Sequence, residues 1–103
     1  VSLLEPPPDP AEPARLRLEA GRTADRIRSM STTRLAAALA DGSRRSEAVA
    51  VLAQELADAS ARISGRPQRT LPVLADTAVG DLLAVCAEDL AEDLGAHPGP
   101  VAQ

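Results

Sequence analysis

A chain of 103 residues with a formal net charge of −4 supports one domain, and at that size the core is necessarily thin. There is no Phe, Tyr or Trp, and all 11 basic residues are Arg, so aromatic core anchors and aromatic ligand platforms are excluded. The acidic balance weighs against a nucleic-acid-binding module, which is normally basic.

Ala supplies nearly half of the apolar residues, and Arg without Lys, with abundant Ala, Gly and Pro, is the residue supply of a GC-rich bacterial coding sequence. The core has to be built from Leu, Val, Ile and Ala methyl groups, each stabilising in proportion to buried area at roughly 25 cal/mol per Å². Two solutions exist for such a core. The helices approach closely, or a second copy of the chain completes the buried area. Cys86, the single cysteine, cannot form an internal disulfide and fits a reducing, cytoplasmic setting. No run approaches 18 uninterrupted apolar residues, so no membrane span is expected. The acidic, proline-rich start lacks the basic and apolar segments of an export signal.

In chain order, residues 1–12 hold four of the nine prolines and are expected to form an extended, disordered arm. Its P-x-x-P spacings, Pro7–Pro10 and Pro10–Pro13, carry no further weight in this composition. The helical bundle is expected over 13–95. Pro13 suits a first helical turn, and Leu16, Ala20, Thr23, Ile27 and Met30 recur at helical spacing, predicting a helix over about 14–29. Ser31 is an N-cap for a shorter helix over about 32–41, which Gly42 closes. Ser43 is the expected N-cap of the clearest helix, about 44–64, which Gly65 and Arg66-Pro67 end. The loop that follows, between Pro67 and Pro72, is expected to tuck Leu71, Val73 and Leu74 onto the bundle. Asp76 is the expected N-cap of a last helix over about 75–94, with Val79, Leu82, Leu83, Cys86, Leu90 and Leu94 on its apolar face. The tail, 96–103, is expected to be disordered. Four helical segments without strand signals predict an all-α bundle, its two longest helices antiparallel and two shorter ones beside them.

The helix over 44–64 carries two features. Val49, Leu52, Leu56, Ala59 and Ile63 fall at steps of three and four, the apolar seam of a heptad repeat and a candidate helix-packing or dimer surface. A track of small residues, Ala50, Ala53, Ala57, Ser60 and Ser64, runs beside it. The last helix has a second track, Gly80, Ala84, Ala87 and Ala91. A helix-interior Gly costs about 1 kcal/mol relative to Ala, so Gly80 points to the close approach of another helix.

Catalytic and metal-binding constellations are absent from the pattern. His97 is the lone imidazole, so a nucleophile–base pair has no base held in place. His97 and Cys86 cannot supply the three or four ligands of a zinc site. Cys86 follows an apolar register, as an inert core thiol does. Glu88, Asp89, Glu92 and Asp93 read as a solvated acidic face, without the Glu-x-x-His of a diiron bundle. No glycine-rich phosphate loop occurs. No cofactor, no metal and no enzymatic activity are expected.

Charge is unevenly spread. Residues 13–47 hold eight Arg against four acids, and 70–103 hold six acids and no Arg or Lys. Either the two halves face each other in one molecule, or the basic half meets an acidic partner through Arg22, Arg26, Arg28, Arg44 and Arg45. For DNA as that partner, Arg34 to Leu52 resembles a helix-turn-helix in outline, with Ala38 four residues before the turn glycine, Gly42. Asp41 and Ser43 stand where that motif carries apolar residues. The leading expectation is a non-catalytic bacterial protein that binds another protein or a second copy of itself. The alternative is a helix-turn-helix-like DNA binder using the basic region around Arg34–Arg45, with nucleic acid the less favoured partner.

Overall fold

The computed structural model describes residues 12–97, and within them the chain is four α-helices: α1, Glu12–Arg28; α2, Thr32–Ala36; α3, Arg45–Ser64; and α4, Val79–Ala96. No strand occurs among the described residues. The all-α bundle is as the periodicity predicts. The arm expected over 1–12 and the tail expected over 96–103 lie outside the described residues, except that Glu12 already belongs to α1, Ala96 still belongs to α4 and His97 is its C-cap.

α4 is the central element, packed on one side by α1 and on the other by α3. Side-chain bonds fix the directions. Arg28, the last residue of α1, donates to Asp81 near the start of α4 at 2.6 Å, and Arg17 donates to Glu88 at 2.9 Å. α1 and α4 are therefore antiparallel. Ser46, at the start of α3, donates to Asp76 just before α4 at 2.8 Å, and Ser60 donates to Asp93 near the end of α4. α3 and α4 therefore run parallel, which corrects the expectation that these two form the antiparallel pair. Short connections force neighbouring helices to reverse. Here residues 65–75 lie between α3 and the single 3₁₀ turn Asp76–Ala78 that leads into α4. Extended, they span roughly 36 Å, more than the roughly 30 Å of a 20-residue helix, so the chain returns to the start of α3 before α4 begins.

That return segment is a strap along α3. The Gln54 side chain holds it like a strand partner, its Nε2 donating to the Arg69 carbonyl and its Oε1 accepting the Leu71 N–H, both at 2.8 Å. Of the three apolar residues expected to tuck in, Leu71 packs on the core, whereas Val73 is fully exposed and Leu74 remains exposed.

α2 ends five residues earlier than expected. Ala37 is extended (φ −65°, ψ 139°), and 37–45 close into a tight turn with Leu39 N–H bonded to Ser43 C=O at 2.7 Å and Arg45 N–H to Ala37 C=O at 3.0 Å. Gly42 sits at φ +88°, a left-handed position that favours glycine. The Asp41 carboxylate accepts both the Ser43 N–H (2.9 Å) and the Ser43 hydroxyl (2.6 Å). These local side-chain bonds compete with helix, and a short alanine run gains too little cooperativity to resist them. Ser43 is thereby taken and does not cap α3. Arg44 occupies the N-cap position, and Glu47 accepts its N–H at 2.8 Å. Asp76 likewise does not cap α4 through its side chain, because Ser46 and Arg44 occupy it. Ser31 does cap α2, accepting the Arg34 N–H, and Gly65 ends α3 in the left-handed conformation at φ 76°.

The core gathers Ile27, Leu35, Ala53, Val79, Leu83 and Cys86, ringed by Met30, Val49, Leu56, Leu71 and Leu82. Small residues let the helices close up. Ala24, Ala53, Ala87 and Ala91 are almost wholly buried. A Cβ placed on Gly80 would lie 3.2 Å from the Ala24 carbonyl oxygen, 3.1 Å from Arg28 Cγ and 3.3 Å from Ile27 Cγ2. The close approach expected of Gly80 is thus present, with α1 as the neighbour.

Candidate interaction surface

The buried residues of α3 are Ser46, Ala53, Ser60 and Ala61; of the small-residue track, Ala53 and Ser60 are among them, while Ala50, Ala57 and Ser64 are half-buried beside them. The heptad seam lies on the flank of that stripe, turned by roughly a quarter of a helical circle. Val49 and Leu56 touch the core and are half-buried, Ala59 and Ile63 are half-buried, and Leu52 is 41% exposed. The seam is thus a border, sealing the core with one edge and meeting solvent with the other. α1 does not cover it, since α1 and α3 each pack on α4 and scarcely on one another. On the solvent side of the seam stand Glu55 and Arg62, both exposed and with no partner among the described residues.

The five arginines expected to form one basic surface are largely engaged within the molecule. Arg28 binds Asp81 and Asp25, Arg44 binds Asp76 and Glu47, and Arg22 binds Glu19. The Arg45 guanidinium reaches Met30 Sδ at 4.0 Å. Arg26 is exposed. Arg17–Glu88 and Arg66–Asp93 complete a pattern in which α1, the start of α3 and the strap each place Arg on acids of 76–93. Their carboxylates hydrogen-bond Arg17 and Arg28 and push both guanidinium pKa values further up. The charge split of the sequence is therefore neutralised in part inside one molecule, through Arg17, Arg28 and Arg44. The segment Arg34 to Leu52 is the end of the five-residue α2, a bridged turn and the start of α3, rather than two full helices around a turn.

The solvated acidic face expected of Glu88, Asp89, Glu92 and Asp93 is corrected at Asp93, which belongs to a polar cluster. Asp93, its side chain only 13% exposed, accepts from the Ser60 hydroxyl and, at 2.7 Å, from Arg66 Nη2 of the strap. The serine bond foremost, with the arginine beside it, holds the carboxyl below its ordinary pKa. The signal was present in the phase of Ser60, which faces α4 on the small-residue track. Beside the cluster is an open groove of about 510 Å³ between the strap, the second half of α3 and α4, with Arg69, Asp89 and Glu92 on its rim. Cys86 is buried, and burial, with Asp89 nearby, pushes its thiol pKa up, away from the thiolate that nucleophilic chemistry uses.

Among the described residues no three His, Cys, Asp or Glu side chains converge to hold a metal ion, and no helix is long and apolar enough to cross a membrane. Comparison with known protein families, curated proteins and solved structures finds no match.

Proposed function

We propose that this chain is a non-catalytic bacterial interaction module, working in the cytoplasm, that binds a protein partner through the outer edge of the α3 seam. The observation that carries the reading is Leu52, 41% exposed in the middle of a regular apolar row whose other members are half-buried. An apolar row at heptad spacing is the pattern used for helix-to-helix recognition. The engagement of Arg22, Arg28 and Arg44 by neighbouring acids favours this surface over the basic one, because a phosphate backbone would have to compete for guanidinium groups already paired.

The test is a photo-crosslinking residue placed at position 52 in cells of the source organism, with Val85, 58% exposed on α4, as the control position. Protein adducts from position 52 that are missing from position 85 support the reading. Equal labelling from both positions, or none from position 52, overturns it.

A further inference from the structure

We infer that the partner is a second copy of this chain, and that the two α3 helices pair antiparallel through Leu52, Leu56, Ala59 and Ile63. This rests on the reading that the outer edge of the α3 seam is the working surface. Three observations select a second copy. The first is spacing. From Leu52 to Ile63 the steps are four, three and four, the same read in either direction. Laid antiparallel on itself, the row places Leu52 against Ile63 and Leu56 against Ala59 of the other copy, so one surface is its own complement. A two-fold interface demands that property.

The second is charge. Glu55 and Arg62 are seven residues apart, two helical turns, on the solvent side of the seam. In heptad terms both occupy the position preceding the first seam residue of a repeat. In antiparallel pairing, like positions on this edge face one another across the two-fold axis, and the same register that stacks the apolar layers brings Glu55 of each copy to Arg62 of the other. Parallel pairing would instead direct them toward the opposite flank of the seam, at Ala53 and Ser60, which are buried against α4. Charges flanking a seam set partner choice and orientation, and Glu55 and Arg62 have no described partner within the chain.

The third is the core. Leu35 and Leu83 are the only large apolar side chains buried to within 2% among the described residues, and a domain so poor in buried bulk gains from additional apolar area.

Sedimentation of the purified full chain from about 5 µM to about 1 mM is expected to show a monomer–dimer equilibrium. Glu55→Arg and Arg62→Glu each turn two attractive contacts into repulsive ones and weaken the dimer about tenfold at low salt. Mixed together, these two variants re-form a dimer, because every contact in the mixed pair is again between opposite charges. Both positions are exposed, so helical content stays as in the parent. Leu52→Asp weakens association by about tenfold or more. A parent chain that is monomeric at about 1 mM overturns self-association. A dimer indifferent to the charge variants, or variants that fail to recover on mixing, overturns the antiparallel α3 geometry. Crosslinked adducts at position 52 with a different protein, from a chain that is monomeric when pure, would leave the interaction surface standing and remove only the self-pairing.

Discussion

Gly80 of α4 lies directly beneath the backbone of Ala24 in α1, so close that a methyl group at position 80 would stand 3.2 Å from the Ala24 carbonyl oxygen. Replacing Gly80 by Ala sets two effects against each other. Helix propensity favours Ala by about 1 kcal/mol. Forcing a methyl into a packed contact costs about 1–3 kcal/mol, and here one of the three opposing atoms belongs to the rigid backbone. Gly80→Ala is expected to lower stability by about 1 kcal/mol net, and the branched Gly80→Val by about 3 kcal/mol. Urea unfolding midpoints measure both, and a stabilised Gly80→Ala would mean that α1 is free to retreat.

Leu83 and Val85 are two residues apart on α4 and should respond to truncation very unequally. Leu83 is 1% exposed at the junction of the helices, whereas Val85 faces water. Leu83→Ala is expected to cost about 2–5 kcal/mol through lost transfer energy and the cavity left behind. Val85→Ala should stay within about 0.5 kcal/mol. Thermal melts of the two variants give the comparison directly.

The strap has a single side-chain clamp at its middle, Gln54. Gln54→Ala leaves the Arg69 carbonyl and the Leu71 N–H without their partner. About 1–2 kcal/mol of stability should be lost. Amide exchange at Leu71 should quicken while that of Leu83, in the helix core, changes only with global stability. Gln54→Glu keeps an acceptor for Leu71 but sets a carboxylate oxygen against the Arg69 carbonyl and the Asp58 carboxylate, both of which the Gln54 amide now serves as donor, so at neutral pH it should cost at least as much as Gln54→Ala.

Acid should loosen the same region. Asp93 has a folded-state pKa below that of the unfolded chain, so its contribution is complete above the unfolded value, near 4, and is lost as pH falls through the lower folded value. Asp41, held down by the Ser43 hydroxyl and then its N–H, acts in the same direction. Stability is therefore expected to drop as pH falls below about 4. Asp93→Asn should flatten part of that slope and Asp93→Ala should do the same with a lower plateau. Denaturant titrations at successive pH values check the sign and the window.

Helix positions were legible from particular residues. Ile27, Leu35 and Leu83 stand at apolar positions of their helices and do form the core, Ser31 caps, and Gly65 stops α3 as a left-handed glycine must. Direction was not legible, because residues 65–75 contain nothing that states whether they turn back at once or run the length of α3. The early end of α2 was half-written. Gly42 marked a turn, but Asp41 serving Ser43 decided where the turn begins. The seam at Val49–Ile63 was visible as a periodic row, yet periodicity alone does not tell which side of the row meets water. That depends on Ser60 and Ala53 turning toward α4, a consequence of the parallel packing.

The order of the helices along the chain bears on how the molecule comes off the ribosome. α4 is the last helix of the described chain and the one on which both α1 and α3 rest. While it is still inside the exit tunnel, α1 and α3 have no common surface to settle on and scarcely touch each other. The emerging segment must therefore wait, exposing its alanine-lined faces, until residues 79–96 are free. Contacts that join such distant parts of a chain close later than local ones, so until residues 79–96 are available the faces of α1 and α3 that rest on α4 stay open to chaperones and proteases.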